Sequence, residues 1–140
     1  MSLNIYLTFN GNCAEAFEYY KSIFGGEYEA FQTFGDGPPD MGFAEADKDK
    51  VMHVSLPVGQ STLMGSDTAS QFGGPATQGD NFSISYLAET IEEADRAFPL
   101  LSDGGEVKMG MDKTFWGSYF GMCKDKFGIN WMINVDLREK

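Results

Sequence analysis

Apolar and polar positions alternate in two separated stretches of the chain, and each stretch runs on into a segment with helical periodicity. Residues 4–27 read NIYLTFNGNCAEAFEYYKSIFGGE and residues 81–106 read NFSISYLAETIEEADRAFPLLSDGGE. Both open on Asn and an alternation with the two-residue period of a half-buried strand. Both close on Gly-Gly-Glu. In the first, Asn12 stands where an N-cap belongs, with Glu15 three residues on to complete a capping box. Ala16, Phe17, Tyr20, Ile23 and Phe24 then form an apolar stripe at helical spacing. Thr90 and Glu93 repeat the cap, and Ile91, Ala94, Ala97, Phe98 and Leu101 repeat the stripe. Gly25 and Gly104 follow where a left-handed C-terminal residue is wanted. Pro99 falls inside the second stripe and predicts a bent or shortened last turn.

Strand-like runs follow each helix. They are expected at 27–34, 51–58 and 61–66 in the first half, the last two joined by the tight hairpin Val58-Gly59-Gln60. In the second half they are expected at 106–111, 119–124 and 130–135, with Asp125-Lys126-Phe127-Gly128 as a turn. Residues 66–80, rich in Ser, Thr, Gly and Pro, read as a loop, and so do residues 35–41 with Pro38-Pro39. The pattern predicts an α/β (α+β) chain of one domain over 1–140. It divides into a βαβββ module at about 1–67, a linker at about 68–80 and a second βαβββ module at about 81–136. Two such modules are expected to set curved mixed sheets side by side around a cleft, the default place for a ligand.

Composition narrows the choice. A chain of 140 residues buries roughly two-thirds of its unfolded surface, and 42% apolar residues with 12 Phe supply a core. No apolar run approaches the roughly 20 residues of a membrane span. The segment Met1-Ser2-Leu3-Asn4 lacks the basic and apolar regions of a signal peptide, so a cytoplasmic location is expected. Twenty-one acidic against 10 basic residues leave a net charge of −11, which repels a phosphate backbone, so no nucleic-acid partner is expected. The two cysteines, Cys13 and Cys123, have neither a CxxC spacing nor a His cluster and read as buried, reduced thiols.

At Tyr6-Leu7-Thr8-Phe9-Asn10-Gly11-Asn12 and Leu63-Met64-Gly65-Ser66-Asp67 the chain is similar to a known family. The likeness is strongest at Thr114-Phe115-Trp116-Gly117, Phe120-Gly121 and Asp125-Lys126-Phe127-Gly128-Ile129-Asn130-Trp131-Met132-Ile133. It resembles the PhnB-like branch of the vicinal oxygen chelate superfamily, which includes glyoxalase I, bleomycin-resistance proteins and extradiol dioxygenases. The resemblance covers nearly the whole chain. It implies the glyoxalase/bleomycin-resistance/dioxygenase fold, a small-molecule ligand and a homodimer. Some such proteins carry the label demethylubiquinone methyltransferase, yet nothing in this sequence looks like a methyl-donor site.

Metal-using members of the superfamily place one ligand on the first and one on the last strand of each half, as His or Glu. By the internal repeat these positions are Tyr6 and Ser83, Met132, and either Leu63 or Met64. None offers the nitrogen or charged oxygen that a divalent ion takes, so no cofactor is predicted, and a divalent metal stays open only through His53 with a non-standard ligand set. His53 is the single histidine. It is either a general acid/base or a hydrogen-bonded strand residue without chemistry. Phe115, Trp116 and Tyr119 form an aromatic group that walls a ligand or packs in a core or dimer. One of Trp131 and Met132 faces the cleft and the other a helix. Ser66 and Asp67 hold either a polar ligand group or the following loop. The ligand pocket is thus expected at Tyr6, Met64, Ser66, Asp67, Ser83, Phe115, Trp116, Tyr119, Trp131 and Met132, with His53 as the catalytic candidate. Three functions fit: metal-free binding of a small molecule, a glyoxalase-type lyase, isomerase or dioxygenase using His53, and sequestration of a cationic drug.

Overall fold

The first alternation becomes strand β1 (Ile5–Phe9), in which Leu7 and Phe9 are buried while Tyr6 and Thr8 stay exposed. The computed structural model describes residues 1–37, 42–69 and 74–138; Pro38-Pro39 and part of the expected linker lie outside the described residues. Helix α1 (Cys13–Phe24) buries Cys13, Ala16, Phe17, Tyr20 and Ile23, the stripe read from the sequence with Cys13 added and with Phe24, at the helix end, only partly covered. It stops at Gly25, whose φ of +77° suits glycine and whose N–H reaches Lys21 O. Strands β2 (Ala30–Thr33), β3 (Val51–Val58) and β4 (Ser61–Asp67) complete a sheet in the order β1-β4-β3-β2. β1 runs parallel to β4, and the other pairs are antiparallel.

The second unit repeats this plan. Strand β5 (Ile84–Leu87) leads into α2 (Ile91–Ser102), followed by β6 (Glu106–Lys113), β7 (Ser118–Lys124) and β8 (Asn130–Asp136). The sheet order is β5-β8-β7-β6, with β5 parallel to β8. The two compact units span Met1–Thr77 and Gln78–Lys140. Helix α2 passes through Pro99 and ends three residues later, where Ser102 Oγ donates to Phe98 O at 2.9 Å. Of the two expectations for Pro99, a bent or a shortened last turn, the shortening does not occur. β2 is shorter than the 27–34 expected: pairing with β3 begins at Ala30, and Phe34 already belongs to a 3-10 turn, Phe34–Asp36. β6 is longer than expected and carries two register shifts, the bulges typical of a strand at a sheet edge.

Each helix rests on its own sheet at a glycine. A Cβ on Gly65 would sit 2.7 Å from the Phe17 ring, and one on Gly121 would sit 3.1 Å from the Phe98 ring. Burial follows from that contact. In the first sheet Leu7, Phe9, Val54, Leu56 and Leu63 are buried, and in the second Ile84, Cys123, Trp131, Ile133 and Val135. By strand alternation the residues between them look the other way.

The entry to α1 departs from the sequence expectation. Asn12 makes no side-chain cap. Instead Asp67, at the end of β4, accepts from Gly11 N and Cys13 N through Oδ1 and from Val51 N through Oδ2, each at 2.9 Å. α2 is capped locally, by Thr90 Oγ1 accepting from Glu93 N at 3.1 Å. Asp67→Ala leaves three backbone N–H groups without their acceptor. Two of them, on Cys13 and Val51, are buried; at about 1–3 kcal/mol for each unsatisfied buried donor, the variant is expected to lose at least about 2 kcal/mol in urea unfolding. Asp67→Asn, which keeps one acceptor oxygen, is expected to lose less.

Candidate functional site

The register of the first sheet builds a polar and aromatic face turned away from α1. Tyr6 lies beside Met64, and Met64 beside Ser55; one step along, Thr8 lies beside Ser66. His53 is two residues from Ser55 on β3, so it shares this face, and it pairs with Gln32 of β2. The rings of Tyr6 and His53 stack with centroids 5.9 Å apart and planes 27° from parallel. Tyr6 Oη stands 3.5 Å from His53 Nδ1, at the outer limit of a hydrogen bond. Tyr6 is 49% exposed, and His53, Met64 and Ser66 are partly so. An imidazole beside a phenol, open on one side, is an arrangement that can accept or pass on a proton.

Four of the residues expected at the site, Tyr6, His53, Met64 and Ser66, therefore come together on one face. The partner of Tyr6 across β4 is Met64; Leu63 pairs with Ile5 and Leu56 and is buried. Asp67 points to the opposite side and spends its carboxylate on the three backbone donors described above.

In the second sheet the face turned away from α2 carries a cross-strand row. Ser85, Met132, Met122 and Met109 follow one another from β5 to β6. Met132 is thus placed as the repeat required. Its partner is Ser85, however, while Ser83 precedes the first residue of β5. Met109 and Met122 are the functional candidates that sequence reasoning did not gather into the site. Their signal is the β6–β7–β8 register, which the bulges in β6 conceal.

The aromatic residues divide by element. Phe115 and Trp116 occupy the β6–β7 turn, 98% and 51% exposed, with ring centroids 5.0 Å apart edge to face. Gly117 at φ +88° turns the chain there. Trp116 also meets Phe120 at 6.2 Å, and Phe120 shares the face of Met122. Tyr119 sits on the α2 side, its hydroxyl donating to Asp95 Oδ1 at 2.6 Å. Trp131 is buried on that side too, its Nε1–H donating to Asp125 Oδ2 at 2.8 Å.

The superfamily's metal does not fit these positions. Tyr6, Met64, Ser85 and Met132 present a phenol, two thioethers and a hydroxyl, where a divalent ion needs imidazole or carboxylate donors. Among the described residues no three His, Cys, Asp or Glu side chains gather to hold an ion. No helix among them is long and apolar enough to cross a membrane.

Thiol chemistry is closed off as well. Cys13 and Cys123 are free and buried. Burial, and then the Asp67 carboxylate, push the Cys13 thiol far above the ordinary range; burial and Asp125 push Cys123 up to about 11. The reactive species is the thiolate, so neither is a nucleophile near neutral pH. The native protein at pH 8 is expected to leave both thiols unmodified by an aromatic disulfide reagent within minutes, and to release two equivalents of product once unfolded in guanidinium. Rapid native reaction would contradict that closure.

Comparison with known proteins agrees with this architecture. Residues 2–134 match the family described as 3-demethylubiquinone-9 3-methyltransferase. Protein YjdN of Escherichia coli (strain K12) is 33% identical over 146 residues, covering 96% of this chain and 95% of its own. The crystal structure of protein PA1353 from Pseudomonas aeruginosa is 44% identical with a TM-score of 0.84, covering 96% of this chain and 98% of that one. A glyoxalase/bleomycin resistance protein/dioxygenase family enzyme from Burkholderia phytofirmans PsJN, 18% identical, covers 96% of this chain and 97% of its own with a TM-score of 0.62; it shares the fold.

Proposed function

We propose that this chain, which belongs to the PhnB-like family described as 3-demethylubiquinone-9 3-methyltransferase, binds a small organic molecule without the divalent ion of its superfamily's enzymes. One observation carries the reading. The positions where a metal centre would draw its donors hold Tyr6, Met64, Ser85 and Met132, arranged by register on the faces that the helices leave open. Phenol, thioether and hydroxyl groups are poor ligands for such an ion but good contacts for an organic one. Aromatic rings and methionine sulfur hold flat apolar surface, and hydroxyls orient its polar atoms. The exposed Phe115–Trp116 pair adds a further aromatic contact on the second unit. A homodimer is part of this reading, drawn from the family likeness.

A second reading rests on the Tyr6–His53 pair. The imidazole has a phenol 3.5 Å from Nδ1, leaving Nε2 to take a proton from a carbon acid next to a carbonyl. That is the first step of a glyoxalase-type isomerisation or lyase reaction.

The metal question is tested by equilibrating the protein with zinc, nickel, manganese and iron, dialysing exhaustively and counting ions by mass spectrometry. Far less than one ion per chain is expected; about one tightly held ion per chain would overturn the metal-free reading. The two readings separate by kinetics. Metal-free protein is expected to show no turnover of α-oxoaldehyde–thiol adducts. Turnover that disappears in His53→Ala, with circular dichroism unchanged, would replace binding by acid–base catalysis.

A further inference from the structure

We infer that Asn130 is the polar anchor of the ligand on the second sheet, accepting one hydrogen bond from a neutral donor on an otherwise apolar molecule. This deepens the binding reading above and rests on it. Asn130 opens β8 and pairs with Lys124 of β7. Along β8, Trp131, Ile133 and Val135 are buried on the α2 side, so alternation sets Asn130 on the face of Met132 and Asn134. Asn130 is 7% exposed, and its Oδ1 is a buried side-chain atom with no hydrogen-bond partner among the described residues.

That condition needs a reason, because buried polar atoms are paired almost without exception, and leaving one unpaired costs stability. The buried carboxylates of this protein show the ordinary outcome. Asp67 and Asp125 each use both oxygens, Asp125 on Phe127 N, Ile129 N and the Trp131 indole. Asn130 is left with an acceptor and no donor, on the same face as the methionine row.

The surroundings state what kind of molecule supplies the donor. Met132, two residues on, continues across the sheet to Met122 and Met109. Directly paired residues hold their Cβ atoms about 4.5–5.5 Å apart, so the three thioethers form a polarisable apolar bed that changes shape at little cost. Lys124 faces Asn130 across the strand pair. A cationic donor beside that ammonium is repelled, whereas a phenol, alcohol or amide is not. The ligand class is therefore a neutral aromatic or alicyclic molecule carrying one hydroxyl or amide N–H.

The test uses a panel of bicyclic phenols and their methyl ethers, 1-naphthol and 1-methoxynaphthalene first, titrated into the parent protein and Asn130→Leu by isothermal calorimetry. The variant removes the acceptor and keeps the volume. Its melting temperature without ligand is expected to equal or exceed that of the parent, since the Oδ1 it removes has no hydrogen-bond partner among the described residues. Affinity for the phenols is expected to fall about three- to tenfold, the range set by one neutral hydrogen bond, while the ethers change less than twofold. A melting temperature several degrees lower would make Asn130 a structural residue and overturn the inference. Equal loss for phenols and ethers would overturn it too, leaving the binding reading in place. Binding of no panel member to the parent would remove both.

Discussion

A single buried carboxylate holds the first unit together at the place where three elements meet. Asp67 sits at the end of β4, and its two oxygens take the N–H groups of Gly11 and Cys13 at the entry to α1 and of Val51 at the start of β3. Backbone donors at a helix start have no partner within the helix, and the positive end of the helix dipole favours a negative charge beside them. The carboxylate answers both needs at once. It also ties β1, through the turn that follows it, to the β3–β4 hairpin. That tie sets Tyr6 of β1 and His53 of β3 across β4 from each other, near enough for their rings to stack. The candidate site is a consequence of this anchoring.

The second unit reaches the same topology by different local means. Thr90 caps α2 from within the helix entry, and Glu93 returns to accept from Glu89 N and from the Tyr86 hydroxyl. The hydrogen bond from Tyr86, followed by that from Glu89, holds the Glu93 carboxyl below its ordinary range. Asp125, in the β7–β8 turn, gathers two backbone donors and the Trp131 indole. Holding Trp131 towards α2 commits Asn130 and Met132 to the opposite face, because neighbours on a strand point opposite ways. Repeated topology here does not mean repeated interactions. Each unit closes its helix entry with whatever acceptor its own chain supplies.

These constraints explain the chemistry that remains available. Glycines under Phe17 and Phe98 let the helices approach closely, both thiols are buried, and the imidazole, phenol and thioether groups stand on the faces turned away from the helices. Those faces hold an imidazole–phenol pair on one unit and, on the other, a methionine row with an amide oxygen that has no partner among the described residues. Phenol, thioether and amide groups suit organic surface and hydrogen-bond donors better than a divalent ion.

Much of the architecture was legible in the chain itself. The strand-like run at 51–58 became β3 with the same bounds, and the stripe from Ala16 to Ile23 became the buried side of α1. The family likeness and the replacement of His and Glu at the first-half metal positions could also be read there. Residue order determines these things because strand alternation, helical periodicity and local turn chemistry all act over a few residues. What the chain alone did not disclose lies between residues far apart. Asp67 caps α1 from 54 residues away, and Tyr6 meets His53 across 47. Ser85, where the repeat pointed to Ser83, is the partner of Met132 because β5 begins at Ile84. Pairing register is settled by turns, bulges and packing together, and a shift of one residue sends every side chain to the other face. Only the tertiary structure decides it, and with it which residues share a surface.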